Sequence, residues 1–89
     1  MKIEITQQEI DNGRGKVYNG CAIELAIRRR NLEISDVVVG SARTTLCCFG
    51  SAVRYSNSVM TRKFILDFDK GEKVFPQTVE LFPLERIQL

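Results

Sequence analysis

The chain has 89 residues, 44% apolar and 27% charged, with 13 Lys and Arg, 11 Asp and Glu, and no histidine. That length suits a single domain over residues 1–89 and leaves no room for a second core. A net charge of +2 is mild for a dedicated nucleic-acid binder, no apolar run approaches the ~20 residues that span a bilayer, and the missing histidine removes the commonest general base.

In chain order, "KIEIT" alternates Ile3 and Ile5 against Lys2 and Glu4, a strand with one wet face. Thr6 with Glu9 three residues on is a capping-box pattern. It opens a short helical turn anchored by Ile10 that closes at Asn12-Gly13, a pair suited to a left-handed C-terminal cap. After the glycine-rich "GRGKVYNG", Asn19 reads as the N-cap of a helix over "GCAIELAIRRRN". Apolar residues fill more than half of its wheel, so it is the central helix, buried on more than one side. Glu24 and Arg28 sit on its polar face as an i,i+4 pair.

"ISDVVVG", "TTLCCFG" and "AVRYS" are β-rich pieces divided by Gly-Ser turns and read as a hairpin or a three-stranded meander. Thr44 to Phe49 carries no charge, so that strand is expected to be covered on both faces, by the chain itself or by a partner. Asn57 or Ser58 caps a second helix over "VMTRKFILDFDK", with Met60, Phe64, Ile65 and Phe68 as its apolar stripe. Gly71 ends that helix, and "TVELF" alternates as a last strand with Val79 and Leu81 inward. Pro83 marks a break that leaves "LERIQL" as a tail or an added strand. The order predicts an α+β fold: a small mixed or antiparallel sheet of four to five strands with two main helices on one face.

Three cysteines, Cys21, Cys47 and Cys48, with no C-x-x-C spacing, make a reduced pattern. No apolar signal region opens the chain. Both features point to the cytoplasm, with no membrane role.

Chemistry is thinly represented. "DFDKGE" resembles a calcium loop only in its first two acids: Gly71 stands where the third acid belongs, Glu72 where the glycine belongs, and Thr78 where the bidentate glutamate belongs. The stretch reads as a joint after a helix. Cys47-Cys48 has no histidine to activate it, and three cysteines fall short of a zinc set. No catalytic residue, metal site or cofactor is expected, and the chain reads as a non-enzyme. The candidate contact residues are basic and aromatic. Arg28, Arg29 and Arg30 close the central helix, where cations complement the dipole or meet phosphate or an acidic partner. Arg14, Lys16 and Tyr18 stand in the loop before the helix N-terminus, where an anion is welcome.

At "ITQQEIDNGRG", "CAIELAI" and "FILDFDKGEKVFPQTVEL" the chain resembles short uncharacterised proteins encoded by bacteriophages and prophages. The shared patterns are I-T-x-x-x-I-x-x-G, C-x-[IV]-x-L-A and F-I-x-x-F-D-x-G-x-x-V-x-P-x-x-x-E-L. They match from Ile5 to Gly13, from Cys21 to Ala26 and from Phe64 to Leu81; the middle, "RTTLCCFGSAVRYSNSVM", has no counterpart. The resemblance implies an α+β fold and a phage origin. By analogy with small accessory phage proteins it implies occupation of a host protein's surface, as in anti-CRISPR or other anti-defence inhibitors. A host protein is therefore the expected partner, with Arg28 to Arg30 and "TTLCCF" as contacts. The alternative is a nucleic-acid or nucleotide binder using Arg14, Lys16 and the same three arginines. The terminal strands are candidate dimer edges.

Overall fold

The computed structural model describes residues 1–14, 21–30 and 34–88. Its elements are β1 (Lys2–Ile5), α1 (Gln7–Asn12), α2 (Ala22–Arg30), β2 (Asp36–Val39), β3 (Arg43–Cys48), β4 (Ser51–Asn57), α3 (Val59–Asp69) and β5 (Gln77–Gln88). The five strands make one sheet in the order β1-β5-β4-β3-β2, and every pairing is antiparallel. The fold is α+β, and the expectation of a mixed or antiparallel sheet resolves as antiparallel.

α2 touches both β1 and β2, the strands at opposite edges of the sheet. The sheet therefore curls, and α2 fills the trough. α3 packs on β4 and β5, and its Phe64 and Ile65 join the same core as Ile23, Ala26 and Ile27 of α2. Alternation along the strands turns Ile3, Ile5, Val37, Val39, Leu46, Val79 and Leu81 into this core, each less than a tenth exposed. Burying residues of this size stabilises by ~1.5–3 kcal/mol each, so the lined trough is the main source of fold stability.

Polar groups inside the core are matched. Thr44 donates to Asn57 Oδ1 at 2.8 Å, and Asn57 Nδ2 donates to the carbonyls of Gly40 and Ser41 at 2.7 and 3.0 Å. One amide thus ties the end of β4 to the β2–β3 turn. Ser58, rather than Asn57, caps α3 by accepting from Thr61 N. Thr61 Oγ1 donates to Glu80 O at 2.8 Å, which seats the helix start on β5.

Several local expectations are corrected. Gly13 is extended, with φ −76° and ψ 157°, so it is not a left-handed cap. Glycine is required there by crowding: a Cβ would stand 2.7 Å from Ala22 N and 2.8 Å from Glu9 O. α2 spans Ala22–Arg30, and Cys21 occupies its start, its Sγ accepting from Glu24 N at 3.5 Å; Asn19 lies outside the described residues. Glu24, placed on the polar face by the sequence pattern, is buried with its carboxylate 3.1 Å from Arg28 Nε. The buried positions of α3 are Thr61, Phe64 and Ile65, whereas Met60 is 61% exposed. Met60 belongs to the first turn, where Thr61 is held to β5 and the preceding position is swung outward. Pro83 does not end the last strand, which runs twelve residues to Gln88.

The reason Pro83 is tolerated lies in how β5 changes neighbour. Its first part pairs with β1 (Gln77 to Glu80), and its second part pairs with β4 (Leu81 to Gln88). Leu81 exchanges main-chain hydrogen bonds with Met1. Main-chain groups two residues apart point the same way, so Pro83 turns its missing N–H toward the side that β1 has already left. The adjacent shift in register between Arg54 and Tyr55 absorbs the irregularity.

Candidate functional site

The three arginines that close α2 are brought against the two edges of the curled sheet. Arg28 reaches Asp36 of β2 at 3.5 Å as well as Glu24. Arg29 donates from Nε to Glu9 at 3.2 Å and from an η-nitrogen to the carbonyl of Glu4 at 3.0 Å. Arg30 donates to the carbonyl of Lys2. Lys2 and Glu4 are alternate residues of the outermost strand, so Arg29 and Arg30 occupy the acceptors that an incoming strand would use. The helix end thus clips β1 on one side and β2 on the other.

Glu9 is the centre of the β1 clip. Its carboxylate is buried, accepting from Thr6 N at 3.1 Å, Thr6 Oγ1 at 2.8 Å and Arg29. Burial pushes its pKa up, but the Thr6 hydrogen bonds and the Arg29 charge outweigh burial and hold it below the usual 4.5. α1 runs antiparallel to α2 for the same reason: Glu9 lies beside the end of α2, and Gly13 lies beside its beginning.

Of the loop candidates, Arg14 is exposed just after α1, while Lys16 and Tyr18 lie outside the described residues. The structure thus brings Arg28, Arg29 and Arg30 together with acids of the protein's own edges. The uncharged stretch from Thr44 lies in β3, which is interior to the sheet, paired with β2 and β4. Its Thr44 and Leu46 face the core, and Thr45 and Cys47 are half-buried on the other face.

"DFDKGE" is a helix exit. Gly71 has φ +78°, Gly71 N donates to Phe68 O and Glu72 N donates to Asp67 O, the hydrogen-bond pair that closes a helix on a left-handed residue. Asp67 is held by Lys63 at 2.7 Å, and that carboxylate raises the Lys63 pKa. Asp69 lines a cavity of about 20 Å³ with Cys21, Ile23, Val39 and Phe64, room for about one water. Burial, with smaller contributions from Glu24 and Asp69, pushes the Cys21 thiol above its usual pKa, so it stays protonated at neutral pH. Among the described residues no group of three or more His, Cys, Asp or Glu side chains is placed to hold a metal ion, and no helix is long and apolar enough to cross a membrane.

One surface escapes a reading of the sequence alone. Around the first turn of α3, Val59 (82% exposed), Met60 (61%), Phe75 (61%) and Phe82 (49%) present large apolar side chains to solvent. Met60 lines two grooves. One runs between α3 and the segment carrying Lys73, Val74 and Phe75; the other lies between α3 and the sheet rim at Lys2, Glu80 and Phe82. The sequence pattern placed Met60 in the apolar stripe of α3 and gave Val59, Phe75 and Phe82 no role. No family profile, curated protein or solved structure matches this chain.

Proposed function

We propose that this chain is a small non-enzymatic binding protein that acts by covering part of another protein's surface. The single observation carrying this reading is the exposed apolar shelf formed by Val59, Met60, Phe75 and Phe82. Scattered apolar residues on a surface need no explanation, but a cluster on one small domain is characteristic of contact sites. The resemblance of its opening and closing motifs to phage-encoded proteins extends the proposal: the covered protein belongs to the host's defence machinery, and the outcome is inhibition in the manner of an anti-CRISPR protein, in the host cytoplasm.

The competing reading, a nucleic-acid or nucleotide binder working through the basic helix end, draws less support. Arg28, Arg29 and Arg30 already meet Glu24, Asp36, Glu9 and the β1 carbonyls, so phosphate must displace these acceptors.

Affinity capture from host lysate is expected to recover one dominant partner in stoichiometric amount. Recovery of none under several buffer conditions defeats the proposal. Phosphate-driven binding would instead show log affinity falling with log salt at about −0.9 per contact on duplex DNA.

A further inference from the structure

We infer that the shelf around Met60 is the docking site for an acidic amphipathic segment of a partner protein, one that inserts apolar anchors into the two grooves and sets Asp or Glu side chains around them. The inference rests on the protein-binding reading and specifies its partner chemistry.

The argument begins with shape. Met60 is a ridge with a groove on either side, one walled by Phe75 and the other by Phe82. An unbranched thioether adapts to irregular partners, and anchors spaced along a helix or extended segment fit a pair of grooves. The surface is pre-formed: Thr61 bonded to Glu80 O and Ser58 N bonded to the same carbonyl fix the first turn of α3 against β5.

Charge selects the occupant. The two grooves are lined by Lys2, Lys63 and Lys73 against the acids Asp67 and Glu80. The lining therefore has a surplus of one positive charge, and Lys73 stands 5.5 Å over the Phe75 ring, so a cation lies beside the apolar groove. A second copy of the chain would bring two such faces together with like charges opposed, which raises the energy of that dimer. Nucleic acid fits poorly: the Phe75 and Phe82 rings offer stacking planes, but a bound strand also needs a continuous positive groove along its backbone, and Asp67 and Glu80 interrupt the basic lining. An acidic partner with apolar anchors matches both features.

The test uses the full chain, ¹⁵N-labelled, titrated with two synthetic peptides that share one leucine and phenylalanine pattern. One is flanked by glutamates and the other by lysines; vesicles containing phosphatidylglycerol and a short oligonucleotide are parallel probes. The acidic peptide is expected to shift the amides of Val59, Met60, Phe75 and Phe82 saturably and to bind about tenfold tighter than the lysine peptide. Met60→Glu and Phe75→Ala should each weaken it about tenfold while the remaining spectrum stays folded. Equal affinity for the two peptides, or shifts centred on Arg28 to Arg30, overturns the assignment. If lysate capture of a partner survives Met60→Glu and Phe75→Ala, the shelf is wrong and the protein-binding reading stands. If the vesicles or the oligonucleotide bind the shelf in preference to the acidic peptide, both fall.

Discussion

Replacing Arg29 with alanine should unfold the protein earlier rather than merely remove a contact group. The guanidinium meets a nearly fully buried Glu9 carboxylate at 3.2 Å and the Glu4 carbonyl at 3.0 Å. Hydrogen bonds to charged groups contribute ~1.5–3 kcal/mol. Arg29 itself is 48% exposed, and solvent screening reduces that figure; Glu9 also keeps its two Thr6 donors in the variant. The expected loss is about 1–2 kcal/mol by these considerations. In a domain of this size that lowers the thermal midpoint by roughly 4–16 °C.

A double-mutant cycle with Glu9→Gln, followed by urea unfolding and circular dichroism, isolates the pair. The coupling should reach about 1 kcal/mol, above the ~0.3–0.5 kcal/mol scatter of independent sites. The same pair sets an acid limb. The folded pKa of Glu9 lies below its usual 4.5, so this carboxylate's contribution is complete above that value and is lost as pH falls through the folded pKa. Glu9→Gln should flatten stability over that range. If Arg29→Ala leaves the midpoint unchanged and the cycle is additive, the arginines are not clips, and their assignment as a contact surface returns.

Three further outcomes follow from the packing. Gly13→Ala drives a Cβ into the Ala22 and Glu9 main chains and should cost ~1–3 kcal/mol as overpacking; urea unfolding at equal stability would deny the close approach of α1 to α2. Asn57→Ala strips partners from buried Thr44 and from the Gly40 and Ser41 carbonyls, and should cost ~2–4 kcal/mol, with faster hydrogen exchange across residues 40–44 as its local signature. Timed alkylation with iodoacetamide, read by mass spectrometry, should leave buried, protonated Cys21 unmodified long after the half-buried Cys47 and Cys48 have reacted; early labelling of Cys21 would show that the start of α2 opens readily.

The parts of this fold written in short-range chemistry were legible in the sequence. Thr6 with Glu9, Ser58 before α3, Gly71 after it, and the alternation through Val79 and Leu81 each depend on residues within a few positions, and each appears in the structure. What escaped depends on distant neighbours. Gly13 is set by Ala22, and Pro83 by where β1 ends. Met60 follows the expected helical stripe, yet the bond from Thr61 to Glu80 O seats the first turn of α3 so that the preceding position faces outward. Arg29 and Arg30 read as a helix-end patch because their acceptors, Glu9, Glu4 O and Lys2 O, lie 20 to 28 residues away. The same distance hid the shelf, since Val59, Met60, Phe75 and Phe82 become neighbours only when α3 docks on β5.

Hydrogen exchange on this chain, alone and then saturated with the partner recovered from host lysate, tests the division of labour between the two surfaces directly. Protection gained at residues 59–60, 74–75 and 82, with residues 28–30 unaltered, is the predicted footprint. Protection concentrated on the end of α2 and the outer edge of β1 would contradict it.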